Sequence, residues 1–127
     1  MADTVTTQTL VDGPKKTVMA FTNVSDGTGE AAVTKVDVST LQGSPTSVQI
    51  EYLWYSTQGM AVQLYWDATT DVLAWGMASD ESMEMDFRYF GGLVNNAGAG
   101  VTGDINLTTV GATAGDSYTI VIGLKKN

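Results

Sequence analysis

Six carboxylates crowd the middle of the chain: Asp67, Asp71, Asp80, Glu81, Glu84 and Asp86. Two carboxyl groups facing each other across roughly 5–10 Å could cleave a glycosidic bond. Several together could collect oxygen ligands for calcium. Their spacing does not match the D-x-[DN]-x-[DN]-G calcium loop. Acidic residues are also common in turns, where they accept local backbone hydrogen bonds, and turns plus solvent-facing strand positions account for these six without a reaction. The chain has no histidine and no cysteine. Ser-His-Asp and Cys-His triads therefore cannot form within it, and disulfides and thiolate metal sites are excluded. The commonest general base and metal ligand is missing as well. The residue types point to a protein that binds or builds rather than catalyses, with no cofactor.

The aromatic residues are the next chemistry-bearing set. Trp54, Trp66 and Trp75 with Tyr52, Tyr55 and Tyr65 could line a sugar-binding face. Two-residue alternation groups Tyr52, Trp54 and Trp66 with Val, Ile and Leu, which predicts that they pack in the core. The same alternation puts Tyr55 and Tyr65 on the opposite face, as candidates for a partner contact, because Tyr is enriched at interfaces. The Gly-rich stretch from Gly91 to Gly103 lacks the GxxxxGK[ST] pattern and no helix follows it, so it is not a phosphate cradle. A loop of this length is often functional, and Asn95 and Asn96 within it are candidate partner contacts. Lys125 and Lys126 read as a solvated basic tail.

The net charge of −8 in 127 residues repels a phosphate backbone and an anionic membrane, so no nucleic-acid or membrane partner is expected. Met1-Ala2-Asp3-Thr4-Val5 has neither a basic nor an apolar signal region, and no apolar run approaches the ~20 residues of a membrane helix. A soluble product made in the cytoplasm is expected. The sequons Asn23-Val24-Ser25 and Asn106-Leu107-Thr108 are then chance matches.

These residues must be positioned by strands, because alternation with period two recurs throughout. Thr4–Leu10 reads as a Thr-rich edge or arm strand, and residues 1–14 as an extended N-terminal arm on a single domain, 1–127. Lys15–Thr22 and Ala31–Ser39 read as a hairpin, the second with Lys35 and Asp37 on its polar face. Ser47–Ser56 and Met60–Trp66 read as another hairpin. Val72–Met77, Ser82–Phe87, Asp104–Val110 and Ser117–Lys125 complete the set. Eight to nine strands separated by Gly, Asp and Asn turns predict an all-β protein: one antiparallel sandwich or barrel, jelly-roll-like.

Several segments carry a family resemblance. They are Met1-Ala2-Asp3-Thr4-Val5, Val11-Asp12-Gly13-Pro14-Lys15-Lys16, the run from Phe21 to Glu30, Trp54-Tyr55-Ser56-Thr57, Leu64-Tyr65-Trp66-Asp67-Ala68 and the run from Asn95 to Asp104. Together they resemble the short virion structural proteins of tailed bacteriophages. The resemblance implies a component of the particle, foremost a capsid decoration (cement) protein that contacts the major capsid protein or other virion proteins as a homo-oligomer. A neck or tail component is the alternative, and a carbohydrate-binding attachment module is the alternative of another class. On the first reading Thr4, Thr6, Gln8 and Leu10 are partner contacts, in an arm that adds to a neighbour's sheet.

Overall fold

The computed structural model describes residues 4–43 and 45–126, with the backbone alone at Thr4 and Phe90. Nine strands follow one another: β1 (Thr4–Asp12), β2 (Lys16–Asp26), β3 (Val33–Val36), β4 (Val48–Gln58), β5 (Ala61–Trp66), β6 (Val72–Met77), β7 (Ser82–Asp86), β8 (Ile105–Val110) and β9 (Ala114–Lys126). Two 3-10 turns, Val38–Thr40 and Arg88–Phe90, are the only helical segments among the described residues. Among the described residues, no helix is long and apolar enough to cross a membrane.

The strands form two antiparallel sheets, ordered β1-β2-β9-β4-β7 and β3-β8-β5-β6. With β1 set aside, the remaining eight have jelly-roll order. The first strand of the octet, β2, lies beside the last, β9, and the second, β3, beside the second-last, β8. This is the arrangement of two Greek keys rolled together. The all-β sandwich expectation holds, with two separate sheets and no closed barrel.

Both expected hairpins are corrected. β2 and β3 lie in different sheets, and so do β4 and β5. Alternation within a strand says which residues share a face, but not which strand lies alongside. After β4 the chain turns through Gly59, at φ +80°, and Met60 drops into the core, which carries β5 over to the facing sheet. Only β1–β2 and β5–β6 are consecutive neighbours within a sheet.

The core lies between the sheets. It is built from the inward residues Phe21, Leu53, Leu64, Trp66, Leu107, Tyr118, Ile120, Ile122 and Leu124, with their neighbours. The inward faces expected for β5, β8 and β9 are found. β4 departs from expectation. Ile50 pairs with Leu124 and Tyr52 with the next residue, Gly123, so Glu51 is an extra residue in a β-bulge. A bulge reverses the alternation beyond it. Leu53 and Tyr55 therefore face the core, and Tyr52 and Trp54 the outside. A second bulge, between Thr34 and Val36, makes Lys35 the extra residue and buries it.

Candidate interaction surfaces

β1 is attached along one edge only. It pairs with β2 and forms the margin of the five-stranded sheet, so among the described residues no strand lies along its other edge. Register places Val5 opposite Asn23, on the core side, and Val11 opposite Val18, on the outer side. Val5 is exposed although it lies on the core side, so the second sheet does not cover this part of β1. Residues 4–11 carry no charge. Edge strands are ordinarily blunted by charges, proline or a bulge, or are covered; residues 4–9 carry no charge and no proline, and the bulge of β1 comes only after them, between Thr9 and Val11.

The far end of β1 is tied down. The Asp12 carboxylate accepts from Lys126 Nζ and from the Gln42 backbone N–H. Lys126 Nζ also donates to the carbonyls of Gly13 and Gln42, at 2.6 and 2.9 Å. The ammonium beside Asp12 holds its carboxyl below the usual carboxylate range. Lys126 is thus no solvated tail: its side chain is 4% exposed. Residues 4–12 run as strand β1 at the sheet margin, with a bulge between Thr9 and Val11. Residues 1–3 lie outside the described part.

The outer face of the five-stranded sheet is a second surface. Register sets its side chains in rows. Asp86, Tyr52, Gly123 and Val18 form one row, Glu84, Trp54, Val121 and Ala20 the next, and Ser82, Ser56, Thr119 and Thr22 the third. Trp54 is 46% exposed. Small residues around it leave a groove of about 390 Å³ lined by Ser56, Ser82, Glu84, Thr119 and Val121. On the other side a depression of about 230 Å³ is lined by Tyr52, Glu84, Asp86 and Arg88.

Tyr52 is fixed in place. Its ring covers Gly123, where an added Cβ would overlap the ring carbons. The Arg88 guanidinium lies 5.5 Å from the ring centroid, within range of a cation–π contact. Trp54 meets Tyr52 at 5.4 Å between centroids, tilted by 42°. Arg88 is itself held by Asp86, with Nε at 3.0 Å and Nη2 at 2.7 Å. That paired contact pulls the Asp86 carboxyl down to about 2. An aromatic ring laid over a strand glycine shields backbone that glycine leaves bare. Gly123→Ala should therefore lift Tyr52 from the sheet, at a cost of ~1–3 kcal/mol by overpacking. Urea unfolding and the near-ultraviolet aromatic dichroism would read this; an unchanged aromatic spectrum would show that the ring does not need the glycine.

The expected site residues do not form one surface. Thr6 and Gln8 lie on the outer side of β1, exposed, and Leu10 is exposed at a bulge between Thr9 and Val11. Thr4 begins the strand, and its side chain lies outside the described residues. Tyr55 is corrected: the Glu51 bulge turns it inward, 4% exposed. Its hydroxyl donates to Glu81 Oε1 at 2.7 Å, and burial together with that acceptor raises its pKa. Tyr65 lies in the other sheet, half-buried, its hydroxyl donating to Gln63 Oε1. Asn95 is half-buried, accepting from the Ala97 N–H to close a local turn, and Asn96 is exposed. Tyr52 and Trp54, assigned to the core by alternation, instead face outward from the five-stranded sheet.

The carboxylates have local partners. Asp67 and Asp71 accept from Asn106 Nδ2 at 2.8 and 3.2 Å. Asp80 accepts from the Gly59 N–H. Glu84 is the exception, with no hydrogen bond or ion pair among the described residues. No group of three or more acidic residues among the described ones is placed to hold a metal ion.

Comparison with protein-family models, with curated proteins and with solved structures finds no match. The class of this protein is therefore defined by its fold: a two-sheet, jelly-roll β-sandwich with an added edge strand.

Proposed function

We propose that the chain is a non-enzymatic structural protein of a bacteriophage particle, a capsid decoration protein that binds the assembled head in several copies. The observation that carries this reading is β1, a marginal strand with exposed side chains at residues 5–10 and eight uncharged residues in a row. Such an edge offers backbone hydrogen bonds to a strand from a neighbouring chain. The family resemblance points the same way. A protein that binds the closed shell and not its dissociated subunits stabilises the shell by mass action. The neighbour at β1 is the major capsid protein or a symmetric copy of this chain. The acidic surface keeps the protein soluble and away from DNA.

Two measurements test it. Quantitative mass spectrometry of purified particles should find this chain at a ratio near that of the major capsid protein. A handful of copies would assign it to neck or tail, and absence would discard the particle reading. Deleting residues 1–10 should weaken binding to stripped shells by at least about tenfold, or ~1.4 kcal/mol. The side chains of residues 5–10 are all exposed, and Asp12 remains to hold Lys126, so a cooperative unfolding transition should persist. Undiminished shell binding by the folded truncation would reject β1 as the contact.

A further inference from the structure

We propose that the outer face around Trp54 is a binding site for a neutral carbohydrate, separate from the β1 edge. The chemistry of the face selects the ligand class. Trp54 offers an exposed, flat, electron-rich ring, and a pyranose presents a matching face of C–H groups. The ring is held in a defined pose by Tyr52, which Gly123 and Arg88 fix in turn. Rigid placement of this kind lowers the ordering cost of binding. The groove beside it, about 390 Å³, is at the small end of the ~300–1,000 Å³ typical of ligand sites.

The polar groups narrow the choice further. Glu84 reaches both hollows flanking Trp54, and its carboxylate has no partner among the described residues. An ionised carboxylate only accepts hydrogen bonds, so its complement is a donor, and sugar hydroxyls supply donors at no charge. Ser56, Ser82 and Thr119 add hydroxyls along the groove floor. Asp86 engages the Arg88 fork in two hydrogen bonds, and Lys16, which lines the next hollow with Tyr52 and Arg88, lies 3.3 Å from Glu51, so each cation beside Tyr52 already has a carboxylate partner and does not make the face an anion site. A nucleic-acid base could stack on Trp54, but Glu84, Asp86 and a net charge of −8 repel its phosphates. A second copy of this face would set Glu84 against like charge. An uncharged, hydroxyl-rich molecule with an apolar face satisfies every group.

The test uses the full chain. Neutral hexasaccharides of glucose, galactose, mannose, xylose and N-acetylglucosamine are arrayed with uronate oligosaccharides as acidic controls, and the best binder is then titrated calorimetrically. At least one neutral sugar should bind and the acidic ones should not. Trp54→Ala should weaken binding at least about tenfold, ~1.4 kcal/mol, and Glu84→Gln should weaken it less. Trp54 is half exposed, so the variant should unfold at nearly the same urea concentration. The chain lacking residues 1–10 should bind the sugar as the full chain does, so that loss of the shell contact and loss of the sugar site are told apart. Four results would overturn the proposal: no neutral sugar bound, acidic sugars bound equally well, binding indifferent to Trp54→Ala, or Trp54→Ala dissociating an oligomer. The last would make this face a contact between copies.

Discussion

Glu30→Ala is expected to cost about 3–5 kcal/mol of folding stability, the usual penalty for removing one partner of a buried ion pair. Glu30 sits in the connection between β2 and β3, where a solvated loop would be assumed. Its side chain is only 6% exposed and that of Lys35 only 3%, and Lys35 Nζ lies 2.6 Å from Glu30 Oε2. The other oxygen, Oε1, accepts from Asn23 Nδ2 at 2.7 Å and from the Tyr118 hydroxyl at 2.6 Å. The Glu30 backbone exchanges bonds with Thr109: its N–H donates to Oγ1 and its carbonyl accepts from the N–H. Asn23 and Tyr118 belong to the five-stranded sheet, Lys35 and Thr109 to the other. One carboxylate therefore joins the two sheets at this end of the sandwich.

Alanine at position 30 would leave the Lys35 ammonium buried without its counter-charge. The loss is a large share of the ~5–15 kcal/mol that holds a domain folded. Lys35→Met should cost less than Glu30→Ala, because Glu30 keeps two donors. A double variant, Glu30→Leu with Lys35→Met, should recover much of the loss, since an apolar pair can replace a buried ion pair. Urea unfolding of the three variants decides it. If Glu30→Ala cost only the ~0–1 kcal/mol of an exposed pair, the bridge would not be holding the sheets together.

Neither member of this bridge was legible in the sequence, and the reason is specific. Lys35 alternates correctly with Thr34 and Val36 as a polar-face residue until a bulge gives the strand one residue more than its partner. Glu51 is the same case in β4, where it sits beside Lys16 at 3.3 Å. In β4 the change of phase is masked, because Tyr52, Leu53, Trp54 and Tyr55 are all large and apolar or aromatic, so either alternation reads as a core face. That single extra residue exchanged the fates of Trp54 and Tyr55. Strands without bulges near their core stretch, such as β5 and the run from Tyr118 to Leu124, read correctly to the residue. The eight-to-nine-strand sandwich was legible because it depends on the number of alternating runs. The pairing of β2 with β9 was not, since nearly a hundred residues separate partners such as Phe21 and Ile120. The edge character of β1 could be read from its Thr-rich, uncharged composition. The outer aromatic face could not, because it follows from the bulge.

The end of the sandwich opposite Glu30 depends on a glycine, and Gly103→Ala should destabilise the fold by about 2–5 kcal/mol. Gly103 is buried, with φ at +90°, and a Cβ there would overlap the Thr46 carbonyl. Two costs therefore combine: a left-handed backbone that L-residues avoid, and a clash with main chain, which cannot rotate away as a side-chain tip can. The surroundings leave little room to yield. The Thr102 N–H donates to the Asp67 carbonyl and the Asp67 N–H to the Asp104 carbonyl, while Asp104 Oδ1 accepts from the Val38 N–H at 3.0 Å. Burial of Asp104, with Asp37 and Asp67 nearby, raises its pKa, and the Val38 hydrogen bond only partly offsets this. Gly111 supplies the control. Its φ is +72°, and nothing lies within 4 Å of the Cβ position. Gly111→Ala should therefore incur only the conformational cost, ~1–2 kcal/mol. The difference between the two urea midpoints isolates the clash with Thr46. Equal midpoints would mean that the segment before β4 moves aside freely, and that this end of the jelly roll is held by its hydrogen bonds rather than by close backbone approach.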